Sequence, residues 1–314
     1  MTDLTVNKLS GGLCGLYNFG QTCYLNSILQ SFIHNSYLLH VILNKNFTIN
    51  NNFEENCLTH EIDKLLTGSQ NDNCVIVPKS LIITLNNIYN SDLNEQNDPD
   101  EYYEKIIDRL NEETSTKVDI NIDDIENIYD KEWITFFNKQ IGFVTDNFYG
   151  QYKSEILCLS CNHKHLTYNP YITLKLELVN SNILECLKMH LSWENNIDFV
   201  CDKCKKENNQ KKRLTLIKIP NILVITIKRY NNIFEKNNNP IEVSHSFTID
   251  SNKLELYCII NHFGPNIYCG HYTCYIKYTK DQEWYHMNDN EVEKIDINKI
   301  NTSNIYMLFY KKLQ

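Results

Sequence analysis

Two Cys-x-x-Cys pairs constrain the fold of this chain more than any other feature. The pairs are Cys158–Cys161 and Cys201–Cys204, and residues 162 to 200, a stretch of 39 residues, lie between them. Four thiolates can close a tetrahedral zinc site, and structural zinc sites are closed in this way. One pair alone would leave a redox motif as an alternative, whereas two pairs favour structural zinc. We therefore predict that both pairs meet around one zinc ion, which stabilises the fold and takes no part in catalysis.

The cellular environment decides how the 12 cysteines of the chain are interpreted. No stretch approaches the roughly 18 to 20 apolar residues that span a bilayer, and residues 1 to 10 lack the apolar core of a signal peptide. We therefore expect an intracellular protein, cytoplasmic or nuclear and not secreted, whose thiols stay reduced. In that setting a lone, well-placed cysteine indicates a nucleophile. His163 and His165 lie near the first cysteine pair, but four cysteines already suffice for zinc.

Charge and length limit the function classes. The formal net charge of -9 argues against sequence-independent binding to nucleic acid, including a zinc-dependent nucleic-acid binder, and mildly favours a basic partner. A chain of 314 residues can bury a large core, and it contains no internal repeat or long linker that would separate independent domains. We expect a monomer that binds neither nucleic acid nor membrane.

The distribution of periodic patterns predicts an α+β fold. Apolar residues at positions 25, 28, 29, 32 and 33 form the stripe of an amphipathic helix that starts near Cys23. A second helix is predicted from Pro99 to about Leu110, with acidic residues in its first turn. The second half is strand-like and indicates a mostly antiparallel sheet. The predicted strands are 171–178, 214–219, 222–230, 254–262, 271–278 and 304–310.

Cys23 is the candidate nucleophile. The thiolate is the reactive form of cysteine, and the partial positive charge at a helix N-terminus favours it. Gly20 allows a sharp turn into the predicted helix, with Thr22 as its cap. Backbone N–H groups there can bind a developing oxyanion, and the side-chain amide of Asn18 could join them. A buried structural cysteine at a helix start is the alternative interpretation.

The surroundings of Cys23 favour the catalytic interpretation. Residues 15 to 30 read GLYNFGQTCYLNSILQ. This segment closely resembles the cysteine box of the ubiquitin-specific proteases, a long and distinctive motif. Gln21 replaces the Asn that usually precedes Thr-Cys in that family. The resemblance extends from Gly15 to about Tyr310, which is nearly the whole chain.

A nucleophilic thiolate needs a histidine beside it and a third group that orients the imidazole ring. His271 follows a glycine and opens a predicted strand, and the segment from residue 284 reads WYHMNDN. A hairpin between the two would bring Asn288 or Asp289 beside His271. These segments resemble the histidine box of the same family, which implies that Asn288 is the third triad member and Asp289 a supporting polar group. His286 lies nearby but lacks the Gly-His-Tyr context.

The resemblance implies a papain-like cysteine protease core with thumb, palm and fingers. Residues 1–14 would be an N-terminal extension and residues 15–314 a single catalytic domain. The helical thumb would occupy about 15–145, and the antiparallel fingers and palm, with zinc at the fingertips, about 146–314.

The resemblance also implies a substrate. Asp98 and Glu101 match a family segment whose acids contact the arginine-containing tail of ubiquitin, although first-turn helix charges are a simpler interpretation. Gly270 and Tyr272, on either side of His271, would border the narrow channel that admits a Gly-Gly terminus. The expected reaction is hydrolysis after the C-terminal Gly of ubiquitin, at an isopeptide or peptide bond, through a thioester, and no organic cofactor is expected. The alternatives are another Gly-Gly-tailed modifier and a non-catalytic ubiquitin-binding module.

Overall fold

The computed structural model describes residues 9–53, 56–90, 95–195, 197–207, 209–232, 235–266 and 269–313. Helices dominate the first half of the chain, as the sequence predicts. They are α1 Cys23–Ile33, α2 Ser36–Leu43, α3 Leu58–Gly68, α4 Lys79–Tyr89, α5 Pro99–Thr114, α6 Ile128–Phe136 and α7 Phe143–Phe148, with α8 Ile183–His190 later in the chain. No helix among these residues is long and apolar enough to cross a bilayer.

Helix α1 differs from the amphipathic helix that the periodicity predicts, because every one of its residues is buried. Its apolar positions join the main core, and its polar residues Asn26, Ser27 and Gln30 are buried as well. A helix that is buried on all sides lies inside a fold rather than on its surface. Helix α1 therefore forms the centre of the helical half and packs against the large sheet.

Helix α5 begins at the proline that the sequence predicts and continues one turn further, to Thr114. Asp98 is its N-cap, and its carboxylate accepts a 2.8 Å hydrogen bond from the backbone N–H of Asp100. Asp100 is buried and forms a 2.9 Å ion pair with Lys175, which joins the start of the helix to the sheet.

The strands of the second half form two large sheets and cover all six predicted strand regions. They are β5 Gly150–Cys158, β6 Lys164–Tyr171, β7 Thr173–Glu177, β9 Gln210–Lys218, β10 Ile222–Lys228, β13 Ser246–Ile249, β14 Asn252–Asn266, β15 Cys269–Lys277, β16 Trp284–Asn288, β17 Glu291–Ile295 and β18 Ile305–Lys312. Short strands complete the set: β1 Gly15–Leu16, β2 Val75–Ile76, β3 Thr116–Lys117, β4 Gln140–Ile141, β8 Glu194–Asn195, β11 Tyr230–Asn232 and β12 Glu235–Lys236.

The eight-stranded sheet runs in the order β17-β16-β15-β14-β18-β10-β7, with β13 paired to β14. Its pairs are antiparallel except for β10 with β7. One face packs against the helical half around α1 and α5, and the other face carries a second core with α8. The predicted α+β class with a mostly antiparallel sheet is confirmed.

A four-stranded antiparallel sheet, β6-β5-β9-β8, forms a separate extension. Both cysteine pairs lie at one end of it, because β5 ends at Cys158 and pairs there with Gln210 at the start of β9. The active-site candidates lie elsewhere, where α1 meets β15 and β16. Metal and nucleophile are therefore held by different parts of the molecule.

Candidate active site and metal centre

Cys23 is the first residue of α1 and is 3% exposed. Gly20 adopts a φ of 112°, which permits the sharp turn before the helix. Thr22 precedes the helix, but its side chain makes no capping bond to it; its hydroxyl accepts a 3.0 Å bond from Phe19 N–H instead. The first-turn N–H groups therefore remain available near the thiol, which favours a thiolate and an oxyanion there.

His271 and Asn288 are joined by a hydrogen bond of 2.7 Å between Nε2 and the Asn288 side-chain oxygen. An amide oxygen only accepts, so Nε2 carries the proton, and Nδ1 is the nitrogen left for Cys23. Hydrogen bonding with Cys23 raises the pKa of His271 to about 9, against the opposing effect of burial, and Asn288 and the charge of Asp289 add to the increase. A protonated imidazole beside a cysteine is the partner that a nucleophilic thiol requires.

Asp289 lies one residue beyond the direct ring partner, and its carboxylate is 3.9 Å from His271 Nε2. Its two oxygens accept hydrogen bonds from Asn18 Nδ2 at 2.8 Å and from Asn26 Nδ2 at 2.7 Å. Its backbone oxygen accepts from Leu16 N–H at 2.7 Å. The geometry thus separates the two residues that the hairpin argument left open, because Asn288 touches the ring and Asp289 holds the segment before Cys23.

Asn18 is bonded through both ends of its amide. Its oxygen accepts from Gly20 N–H at 2.9 Å and from Thr22 N–H at 3.2 Å, while its nitrogen donates to Asp289. These bonds fix the loop immediately before Cys23. One amide N–H is committed to Asp289, and the second is the hydrogen that an oxyanion could use.

Buried tyrosines lie beside the nucleophile, with the Tyr272 and Tyr306 rings 6.3 Å apart. The Tyr306 hydroxyl donates to Asp98 at 2.7 Å, and burial raises the pKa of this carboxyl. Tyr272 is 1% exposed and lies within electrostatic range of both Asp98 and Cys23. Within the described chain its hydroxyl has no hydrogen-bond partner, so a buried polar atom is available to a ligand.

The remaining predicted substrate residues are placed differently. A Cβ at Gly270 would lie 2.4 Å from His262 Nε2, so only glycine fits beside that ring. The side chain of Glu101 is 69% exposed and forms an ion pair of 2.8 Å with Lys105. The structure therefore places Asp98, Gly270 and Tyr272 around the buried tyrosines and His262 near Cys23, whereas Glu101 lies on the outer surface of α5.

Three residues near the site were not identified from the sequence. His262 is fully buried against the Tyr272 ring and bonds to the Tyr230 hydroxyl. Asn26 holds Asp289, but it lies beside the apolar stripe of α1 rather than within it, so the periodic pattern did not single it out. His262 and Tyr230 gave no signal either, because only strand pairing brings them together.

The four metal-ligand candidates form a compact cluster whose Sγ atoms all lie within 4.8 Å of one another. Sγ of Cys158 is 3.6 Å from Sγ of Cys204, and Sγ of Cys161 is 3.7 Å from Sγ of Cys201. Tetrahedral Zn–S bonds of about 2.3 Å place ligand sulfurs about 3.8 Å apart, so these distances fit zinc. The residues therefore suit the ion that the sequence predicts.

The two cysteine turns share one backbone pattern. Asn162 N–H donates to Cys158 O at 2.9 Å, and Lys205 N–H donates to Cys201 O at 2.9 Å. Asn162 and Lys205 both adopt a left-handed φ, of 56° and 59°. His165 bonds to Asp202 through Nδ1 at 3.2 Å, so it lies outside the four-sulfur cluster.

Known proteins match this chain over nearly its whole length. A family model described as ubiquitin carboxyl-terminal hydrolase matches residues 14–310. Ubiquitin carboxyl-terminal hydrolase Usp2 of Drosophila melanogaster is 29% identical over an alignment that covers 98% of this chain and 35% of that protein. Ubiquitin carboxyl-terminal hydrolase 2 of Homo sapiens is 24% identical, with 97% of this chain and 56% of that protein covered. The chain thus spans about a third to a half of the length of these relatives.

Solved structures show the same fold. The Ubp8-Sgf11-Sgf73-Sus1 SAGA DUB module contains a chain that is 25% identical, with a TM-score of 0.74 and coverage of 100% of this chain and 70% of that one. A SAGA DUB module bound to monoubiquitin matches with a TM-score of 0.76 at 22% identity, covering 100% of this chain and 72% of that one. The chain belongs to the ubiquitin carboxyl-terminal hydrolase family, and its resemblance to the ubiquitin-specific proteases is confirmed.

Proposed function

We propose that this chain is a deubiquitinating cysteine protease that hydrolyses the bond after the C-terminal Gly of ubiquitin. The observation that carries the proposal is the pair of hydrogen bonds that His271 makes, one with Cys23 at the start of a helix and one with Asn288. Family membership and the activity in the names of the relatives support the same reaction class.

The proposed reaction is acyl transfer in two halves. The Cys23 thiolate attacks the carbonyl carbon of the terminal glycine, and the His271 imidazolium protonates the leaving amine. Water then attacks the thioester, with His271 as the base, and releases the free carboxylate and the thiol. Asn288 keeps the proton on Nε2, so Nδ1 faces the reacting atoms.

Oxyanion stabilisation is assigned to the start of α1. The backbone N–H groups at Cys23 and the second amide hydrogen of Asn18 can donate to the tetrahedral intermediate. Asp289 and Asn26 act as positioning residues, since Asp289 holds Asn18, Asn26 holds Asp289, and neither touches a reacting atom.

The tail of the substrate is proposed to approach Cys23 past Asp98 and Tyr272. Asp98 offers one carboxylate there, and Glu101 offers a second one on the exposed side of α5. The close packing around Gly270 and the buried Tyr272 ring leave little room beside His271, which favours a terminus without side chains. A related module is described as bound to monoubiquitin, which supports ubiquitin as the modifier.

Zinc is proposed as a single structural ion. The ion would be held by Cys158, Cys161, Cys201 and Cys204. It would join the two cysteine turns and stabilise the fold, and it would take no part in the reaction. We further propose that residues 15–314 form one catalytic domain after the extension 1–14, that the chain acts as an intracellular monomer, and that ubiquitinated proteins are its partners. Free thiols at the nucleophile and the metal cluster fit a reducing compartment.

The test is a ubiquitin C-terminal fluorogenic reporter. Cys23→Ala should abolish release of the fluorophore while the Tm stays within a few degrees of the wild type. Cys186→Ser changes a cysteine on α8 that belongs to the second core, whereas Cys23 belongs to the main core, and is the matched control. Full activity in Cys23→Ala would refute the mechanism.

The identity of the modifier needs a second experiment. Electrophilic probes built on ubiquitin and on another Gly-Gly-tailed modifier should compete for Cys23, and we expect the ubiquitin probe to react at least tenfold faster. Preference for the other modifier would keep the chemistry and overturn the substrate. Probe binding without a covalent adduct would indicate a non-catalytic module.

A further inference from the structure

Cys14 and Cys74 form a second close cysteine pair, far from the metal cluster in the sequence. Their sulfur atoms are 2.6 Å apart, and the residues are 60 positions apart in the chain. Two thiol sulfurs in ordinary contact lie well over 3 Å apart, whereas a disulfide bond is about 2.05 Å long. The two thiol sulfurs are therefore in direct contact, and Cys14 Sγ is packed as closely against Asn71 O.

The backbone around the pair has the spacing that a disulfide requires. Strands β1 and β2 are parallel, with Gly15 opposite Val75, and Cys14 and Cys74 immediately precede these partners. Gly15 N–H donates to Cys74 O at 2.8 Å, which extends the pairing to the cysteines. Neighbouring strands lie about 4.8 Å apart, which falls inside the Cα separation that disulfides span.

We propose that Cys14 and Cys74 form a reversible disulfide when the protein meets a hydroperoxide, and that this bond fastens β1 to the helical half of the molecule. This goes beyond the proposed hydrolase function and does not depend on it. The two cysteines differ in accessibility, because Cys74 is partly exposed and Cys14 is fully buried. Cys74 is therefore the sulfur that meets the oxidant first.

The chemistry balances in two steps. The Cys74 thiol first releases its proton to solvent, and the thiolate attacks one peroxide oxygen, breaks the O–O bond and becomes a sulfenic acid. The leaving alkoxide, or hydroxide in the case of hydrogen peroxide, takes a proton from solvent and departs as alcohol or water. The Cys14 sulfur then attacks Cys74 and forms the S–S bond, while the sulfenic oxygen departs as water with the Cys14 proton. Two electrons pass from the two thiols to the peroxide, and a dithiol reductant reverses the change. Burial raises the pKa of Cys14 to about 12, which keeps it protonated as the resolving thiol until its partner is oxidised.

The position of the pair connects it to the catalytic loop. Leu16, two residues after Cys14, donates its N–H to Asp289 O at 2.7 Å. A Cβ at Gly15 would lie 2.4 Å from Asn290 O, so β1 packs directly against the turn that contains Asp289. A covalent bond at Cys14 therefore restrains β1, which is hydrogen-bonded to the backbone of Asp289.

The experiment uses zinc-loaded Cys23→Ala protein, which removes the competing catalytic thiol. After treatment with one to two equivalents of hydrogen peroxide, non-reducing peptide mapping should find a Cys14–Cys74 cross-link in most molecules, and dithiothreitol should remove it. The closed loop restricts the unfolded chain, so the Tm of the oxidised protein should rise by about 5 °C. Cys23→Ala combined with Cys74→Ser or Cys14→Ser should show neither effect.

The matched control combines Cys23→Ala with Cys269→Ser, which removes an exposed cysteine outside the pair. This variant should keep both the cross-link and the increase in Tm. Oxidation of Cys74 to sulfinic acid without a cross-link, or its pairing with a different cysteine, would overturn the proposal. An increase in Tm that persists in the Cys74→Ser protein would do so as well.

Discussion

Replacing Asp289 with asparagine is expected to reduce kcat/KM for a ubiquitin reporter by about 100-fold. Asp289 adopts a φ of 50°, and asparagine tolerates this left-handed conformation as well as aspartate does. The substitution therefore leaves the turn intact and changes only the charge and one acceptor. Alanine would add backbone strain of about 1 kcal/mol and confuse the result.

The magnitude follows from the two amide donors that Asp289 holds. Asn18 and Asn26 each donate to one carboxylate oxygen, at 2.8 Å and 2.7 Å. Hydrogen bonds to a charged group contribute about 1.5–3 kcal/mol each, and neutral ones about 0.5–1.5 kcal/mol. The side chain of the substituted asparagine has a single acceptor oxygen, so it can accept a hydrogen bond from Asn18 or from Asn26 but not from both. Its own N–H group then faces the remaining N–H donor, and that hydrogen bond is lost. The interaction free energy lost is about 3 kcal/mol. If Asn18 is the donor that loses its acceptor, this loss corresponds to a decrease of about 100-fold in kcat/KM.

The assay separates positioning from stability. Activity should fall through kcat, because Asp289 makes no bond to the proposed tail-binding residues Asp98 and Tyr272, and the Tm should fall by about 6 °C. The charge of Asp289 raises the pKa of His271, so the alkaline limb of the pH–rate profile should move to lower pH in the variant. A simple loss of stability would leave that limb in place.

Two further variants decide the interpretation. Asn290→Ser alters an exposed side chain of the same turn and should retain full activity. Asn26→Ala should couple to Asp289→Asn in a double-mutant cycle by at least about 1 kcal/mol, since the two residues share one bond. Additive effects, or activity within twofold of the wild type in Asp289→Asn, would refute the positioning role.

Three other predictions can be tested on the same preparation. Cys23→Ala removes the main cause of the raised His271 pKa, so the ring should titrate well below the value of about 9 expected in the wild type, as NMR can measure. Cys204→Ser should lower the zinc content from about one ion per chain toward zero and reduce the Tm; unchanged Tm after complete zinc loss would exclude a stabilising role. Gly270→Ala should abolish turnover with the fold retained, because the added methyl meets His262 at 2.4 Å; steady-state kinetics and circular dichroism together would expose the opposite outcome.

The parts of the site that the sequence predicts are those with a local cause. Cys23 starts a helix because a glycine that allows a sharp turn comes just before it and a periodic apolar stripe follows it directly. His271 and Asn288 meet because one hairpin joins β15 to β16. The two residues are separated by only 17 positions in the sequence, so a local connection brings them together. The metal cluster is likewise predicted from the spacing of the cysteines within each Cys-x-x-Cys pair. Only the meeting of the two pairs depends on the fold.

The parts that the sequence does not predict depend on contacts over long separations. Asn26 reaches Asp289 across 263 positions, and Tyr306 reaches Asp98 across 208. No periodicity encodes such a meeting. Strands β5 and β6 were also missed. Buried and half-exposed positions of β5 come in pairs rather than alternating, and β6 buries only its last residue, so neither strand shows the period of two.

The division of charge between Asn288 and Asp289 explains why the two neighbours are not interchangeable. A neutral amide oxygen contacts the ring, so it orients the imidazole without a full negative charge at 2.7 Å. The carboxylate lies 3.9 Å away and is neutralised in part by two amide donors, so it supports the imidazolium while its main bonds hold the loop before Cys23. If the order were reversed, the carboxylate would bind the proton more tightly, and Asn18 and Asn26 would compete for a single oxygen. One dipeptide therefore meets two separate demands, ring orientation and loop position, because each residue supplies the acceptor that its own partners require.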